Sequence, residues 1–129
     1  MRRALVAGAL VALALAAVAV AQDAVVPKFE KFKVTPTTVC RHRSDTCQHA
    51  GGTIRFKISE YAEVRAATRP LGPTLGPIIL FKKNFTAGWH QRHFSAKKLY
   101  PGQWDMQLTA IDTTNNASHP VDKTYHVVK

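Results

Sequence analysis

Six histidines, two cysteines and eighteen lysine and arginine side chains are the groups with which this 129-residue chain could do chemistry. His90 and His93 form a His-x-x-His beside Trp89 and Phe94, and His42 and His49 flank the cysteines. A zinc site needs three or four ligands converging tetrahedrally, often with carboxylates among them. On a strand, residues i and i+3 face opposite sides, so His90 and His93 converge only across a turn or bulge. With a nearby carboxylate they would make a small metal-dependent hydrolase, the alternative function. Solvent-facing histidines are the plainer account, and no metal site is expected. Nucleophilic catalysis needs an activated Ser or Cys, a base and an oxyanion hole. No Gly-x-Ser-x-Gly is present. Glycoside cleavage needs two carboxylates at a set separation, and the chain has eight acids, with Asp112 and Asp122 near turns. The expectation is a protein that is not an enzyme and carries no cofactor.

Cys40 and Cys47 enclose a small loop, Cys40-Arg41-His42-Arg43-Ser44-Asp45-Thr46-Cys47. A redox dithiol needs a tighter Cys-x-x-Cys spacing and a depressed pKa, so the pair reads as a structural disulfide. Closing so short a loop is worth about 2.5 kcal/mol on chain-entropy grounds. Disulfides persist outside the cytosol, and the N-terminus agrees. Met1-Arg2-Arg3 precedes an 18-residue apolar run, Ala4 to Ala21, ending in Ala19-Val20-Ala21. Basic start, apolar middle and small-x-small end describe a cleaved secretory signal peptide over residues 1–21. The alternative is a retained anchor, since ~18 apolar residues approach bilayer-spanning length. Half of this run is alanine, however, and no basic stop-transfer cluster follows it. The remaining domain, residues 22–129, carries no transmembrane span. It is too small for a multidomain enzyme or a complete dinucleotide-binding fold. A secreted, periplasmic or envelope-associated location is expected.

These groups must be held by strands. Thr53-Ile54-Arg55-Phe56-Lys57-Ile58-Ser59 alternates strictly, which predicts a strand with one face in water. Tyr61–Ala66 and Trp104–Asp112 repeat the pattern, and Thr124–Val128 closes the chain. Phe29–Val34 is an opening strand with Phe32 and Val34 on one face. Ile78–Phe81 has strand length, and Gln91–Ala96 is a weaker candidate. Arg69 to Pro77, with its two Leu-Gly-Pro units, reads as loop. Ala50-Gly51-Gly52, Leu99–Gly102 and Asp112–Asn116 read as turns. No helix is expected after residue 21. About seven short strands with regular turns predict an all-β, antiparallel two-sheet sandwich. Its expected core contains Ile54, Phe56, Ile58, Val64, Trp104, Met106, Leu108 and Tyr125.

The punctuation resembles that of bacterial secreted Ig-like or fibronectin type III-like domains. Ile58-Ser59-Glu60-Tyr61-Ala62-Glu63-Val64 is similar to their L-S-E-x-A-x-V turn, and Leu99-Tyr100-Pro101-Gly102-Gln103-Trp104 to their L-x-P-G-x-Y approach. Ala110 to Ser118 resembles their A-x-D-x-x-G-N-x-S hairpin, and Tyr125-His126-Val127-Val128 their terminal strand. Trp104 stands where the family usually has Tyr, and Asn115 where it usually has Gly. The local Cys40–Cys47 pair is unlike the inter-sheet bridge of antibody domains. The resemblance implies a sandwich serving as a spacer, adhesion module or carbohydrate-binding appendage, and carries no catalytic residue.

The remaining feature is charge. The formal charge is +10, and loss of Arg2 and Arg3 with the signal leaves +8. Lys31 and Lys33 alternate on the first strand, Arg41 and Arg43 lie in the cysteine loop, and Arg55 and Lys57 point outward from the second strand. If these strands share a sheet, one outer face is strongly positive. Such a face attracts anionic envelope polymers or polysaccharide; it also keeps an exported domain soluble and blocks edge pairing. Another secreted protein is a further possible partner. Sequence-specific nucleic-acid recognition is not expected, because no helix, finger or RNP-like motif appears. The expected function is a secreted, non-enzymatic binding or structural module acting through Lys31, Lys33, Arg41, Arg43, Arg55 and Lys57.

Overall fold

Alternating apolar and polar residues put every second side chain on one side of an extended chain, and several of the strands use that rule. The computed structural model describes residues 25–71 and 76–129, and none of these is helical. The strands are β1 (Phe29–Cys40), β2 (Gly51–Ile58), β3 (Ala62–Pro70), β4 (Ile78–Phe85), β5 (Gly88–Phe94), β6 (Gly102–Ile111) and β7 (Val121–Val128). The expected signal peptide, residues 1–21, lies outside the described residues, as does part of the Leu-Gly-Pro repeat.

The strands form one sheet in the order β4-β3-β6-β7-β1-β2-β5. All pairs are antiparallel except β1 with β7, which is parallel. This corrects the expectation of a wholly antiparallel arrangement, and β1 is the reason. It runs on to Cys40, well past Val34. Its first part pairs with β2, setting Val34 opposite Ile54 and Thr35 opposite Thr53. Its second part pairs with β7 at Thr38 and Val39. Pro36 lies at the changeover. It has no N–H to give to a ladder, and the β1–β2 pairing is interrupted from there until Cys40 meets Gly51, while β7 pairs along the other edge of β1.

The ribbon curls until distant strands meet across a shared interior, giving a nearly barrel-shaped fold. Phe56 of β2 meets Phe85 of β4 edge-on at 5.1 Å, and Phe94 of β5 meets Tyr125 of β7 at 5.5 Å. All eight expected core residues are buried, each with 2% exposure or less. The two ends of the ribbon, β4 and β5, share no ladder; Arg92 instead lies over the Phe81 ring at 5.5 Å. As an edge strand, β4 leaves Ile78 and Ile79 exposed, although their apolar run suggests burial. Gly51 is needed where β2 meets β5, because a Cβ there would strike the Phe94 carbonyl oxygen, and its φ of +74° suits glycine. Arg69 and Pro70, expected in a loop, extend β3, with Pro70 opposite Trp104 at the strand's last position.

Polar groups inside this core are paired. Thr68 Oγ1 donates to the Asp105 carbonyl oxygen at 3.0 Å, which leaves the Tyr125 hydroxyl to donate to Thr68. Trp104 Nε1 donates to the Tyr100 carbonyl oxygen at 2.8 Å, so the indole that fills the core also ties down the chain leading into β6. The turn after β6 is closed by Asp112, whose Oδ1 accepts from the Thr114 and Asn116 amides. Asn115 supplies the left-handed residue there, with φ of 65°, a conformation asparagine tolerates.

Two predictions follow from this packing. Trp104→Ala removes a fully buried indole and its anchoring bond and is expected to cost about 3–5 kcal/mol, read from denaturant unfolding. Burial pushes the Tyr125 phenol from 10.0 up to about 12, with Asp105 adding to the rise. The neutral phenol is therefore the form the fold favours. The stability tied to it is complete below pH 10.0 and is lost as pH rises through about 12. Tyr125→Phe is expected to cost about 1 kcal/mol at neutral pH and to flatten the alkaline loss in unfolding titrations.

Candidate polyanion-binding face

Strand parity sends Lys31 and Lys33 of β1 and Arg55 and Lys57 of β2 outward, and the β1–β2 register then brings them together. Lys31 stands directly opposite Lys57, and Lys33 directly opposite Arg55. On the other side of β2, Arg55 faces Gln91 and Lys57 faces Trp89 of β5. No carboxylate stands opposite any of the four. Like charges directly opposite one another destabilise a sheet. The ion pairs formed among the described residues lie elsewhere, Arg69 with Asp105 at 3.9 Å and Lys82 with Glu63 at 3.7 Å.

Trp89 completes this face. It is 49% exposed, and the Arg55 guanidinium lies over its ring, 4.4 Å from the centroid. The cation is drawn to the ring's negative face. A groove of about 470 Å³ runs beside it, walled by Phe32 and Val34 and rimmed by Lys31, Lys33, Arg55 and Trp89. Lys123 and Thr124 of β7 form part of its lining. Neither Trp89 nor Lys123 is singled out by sequence reasoning. The alternation Trp89, Gln91, His93 was a usable signal, but only pairing with β2 puts the indole beside Arg55.

Arg41 and Arg43 do not join this face. They lie past the other end of β1, in the cysteine loop. Arg41 Nη2 donates to the Lys97 carbonyl oxygen at 3.0 Å, and its backbone N–H donates to Val128. It is a strut holding the loop against the segment after β5. Arg43 is exposed. Cys40 and Cys47 are bonded, with Cα atoms 6.3 Å apart, and Ser44 and Cys47 exchange backbone hydrogen bonds within the loop. Among the described residues no helix is long and apolar enough to cross a membrane. The disulfide-bonded domain is compatible with an extracellular location.

His90 and His93 are separated by strand parity. His90 turns inward against Phe85 at 4.8 Å and Phe56 at 5.6 Å, and its Nε2 donates to the Thr86 carbonyl oxygen at 2.7 Å. His93 faces outward opposite Thr53. Among the described residues no three His, Cys, Asp or Glu side chains gather into a metal-binding group. Two carboxylates do come together on the neighbouring strands β6 and β7. Burial, and then the nearby Asp122, push the Asp105 carboxyl above its ordinary range, while Arg69 pulls it back. Both lie outside the groove beside Trp89. No protein-family model matches the chain, and no curated protein is significantly similar to it.

Cross-strand repulsion gives this face a testable signature. Lys57→Glu converts the contact with Lys31 into an opposite-charge pair, and is expected to raise stability by about 0.2–1 kcal/mol. Added salt is expected to stabilise the unaltered protein more than the variant, because only the former has this repulsion to screen. Denaturant midpoints at low and high salt measure both effects.

Proposed function

We propose that the chain is an exported, non-enzymatic β domain of Ig-like or fibronectin type III-like type. It binds anionic polymers of the cell envelope, or acidic polysaccharide, through the outer face of β1 and β2. One observation carries the binding: Lys31, Lys57, Lys33 and Arg55 are held in register with no acid opposite them. A merely soluble surface gains nothing from placing like charges face to face. A polyanion laid across the face turns that repulsion into attraction and releases its own counterions.

Export is supported by the basic and apolar character of residues 1–21 and by the Cys40–Cys47 bond. In this reading residues 1–21 are a signal peptide, and the domain works in the periplasm, at the envelope or outside the cell. The sandwich type is supported by the seven strands, by the curl that brings β2 against β4, and by the Trp104 bond to Tyr100. That bond stands in for the hydrogen bond such domains make with a tyrosine at the same corner. The ribbon would count as two layers joined by β1.

The oxidised protein is expected to bind a heparin or phosphate-polymer column at ~50 mM salt and to elute as salt rises. Lys33→Glu with Arg55→Glu is expected to elute much earlier, whereas Lys82→Glu with Lys83→Glu on β4 changes elution only slightly. Flow-through of the unaltered protein at low salt, or equal losses in the two double variants, overturns the assignment.

A further inference from the structure

We propose that the groove beside Trp89 is a sugar subsite. It seats a pyranose ring of an acidic polysaccharide against the indole, with the ring's carboxylate or sulfate held by Lys31, Lys33 and Lys123. This rests on the polyanion reading above and narrows it to one class of polymer.

The two tryptophans make the contrast. Trp104 is 1% exposed and serves the core, while Trp89 keeps 49% of its surface in solvent. An indole left half in water forgoes apolar burial that other aromatic residues in this chain obtain. Its partner is a cation from the binding face, Arg55, 4.4 Å from the ring centroid. The ring is thus fixed on the surface, at the edge of a groove, by one of the charges that would meet the ligand.

The groove has a cause in the fold. β1 leaves β7 at Pro36, so β7 before His126 has no β1 partner. Lys123 and Thr124 are thereby exposed to the same opening as Lys31 and Lys33. The volume of about 470 Å³ falls within the ~300–1,000 Å³ of small-molecule sites. Its lining mixes three chemistries. Trp89, the exposed part of Phe32 and the lysine stems offer apolar surface, Thr37 and Thr124 offer hydroxyls, and the lysine ammonium groups offer charge. A pyranose uses all three, since its C–H face is apolar, its hydroxyls pair with hydroxyls, and its acid group meets ammonium. A phosphate polymer uses only the charge. Among the described residues no carboxylate lines the groove to repel either.

The test compares polygalacturonate with polyphosphate at matched charge, using the oxidised protein. Acrylamide quenching reads Trp89, because Trp104 is buried. Polygalacturonate is expected to protect Trp89 from the quencher and shift its emission to the blue, whereas polyphosphate leaves it accessible. Trp89→Ala is expected to weaken polygalacturonate binding about tenfold, the step made by ~1.4 kcal/mol, with little change for polyphosphate. Trp89→Phe, which keeps an aromatic face, is expected to recover part of the loss. If both polymers bind but protect Trp89 equally, or if Trp89→Ala weakens both alike, the sugar subsite is overturned and the polyanion reading stands. If neither polymer binds, both fall. The quenching comparison needs no variant, so it decides the matter even where a substitution impairs folding.

Discussion

A missing N–H organises this molecule. Pro36 cannot donate to a ladder, and from that point to Cys40 β1 breaks its pairing with β2 and takes up β7 along its other edge. Because one strand serves two neighbours, seven strands form a single hydrogen-bonded ribbon rather than two separate ones. Sheet twist then curls the ribbon on itself, and the inward faces of β2, β4, β5 and β7 meet in one core. The same changeover leaves β7 uncovered before His126, opening the groove beside Lys31 and Lys33. Fold and candidate site therefore share one backbone cause.

Charge is distributed unevenly over this frame. Asp105 of β6 and Asp122 of β7 lie near each other, so burial and mutual repulsion oppose ionisation of Asp105, while Arg69 pairs with Asp105 and favours it. The cations of β1 and β2 are set opposite other cations. Each arrangement is locally unfavourable, and in the basic face no acid stands opposite the four cations. Arg55 eases it in part by lying over Trp89, which places an aromatic surface among the charges. Arg41 has the same charge but a different task, since its Nη2 donates to the Lys97 carbonyl.

The histidines illustrate how geometry selects among chemistries. Three residues apart on a strand, His90 and His93 cannot point the same way without a bulge, and β5 has none in its register with β2. His90 becomes a packing residue whose ring nitrogen is satisfied by a backbone carbonyl.

Much of the fold was legible along the chain. Period-two alternation identified the inward side of β2, β3, β6 and β7, because parity is a property of adjacent residues. The same rule separated His90 from His93, and the short spacing of Cys40 and Cys47 marked their bond. What the chain alone left open was adjacency. The length of β1, its parallel pairing with β7, the exposure of Ile79 and the strut role of Arg41 all depend on contacts between residues far apart in sequence. So does the candidate site. Lys31 meets Lys57, and Arg55 meets Trp89, only because β2 lies between β1 and β5. Strand order is set by the curl of the whole ribbon around its core, and no local pattern encodes it.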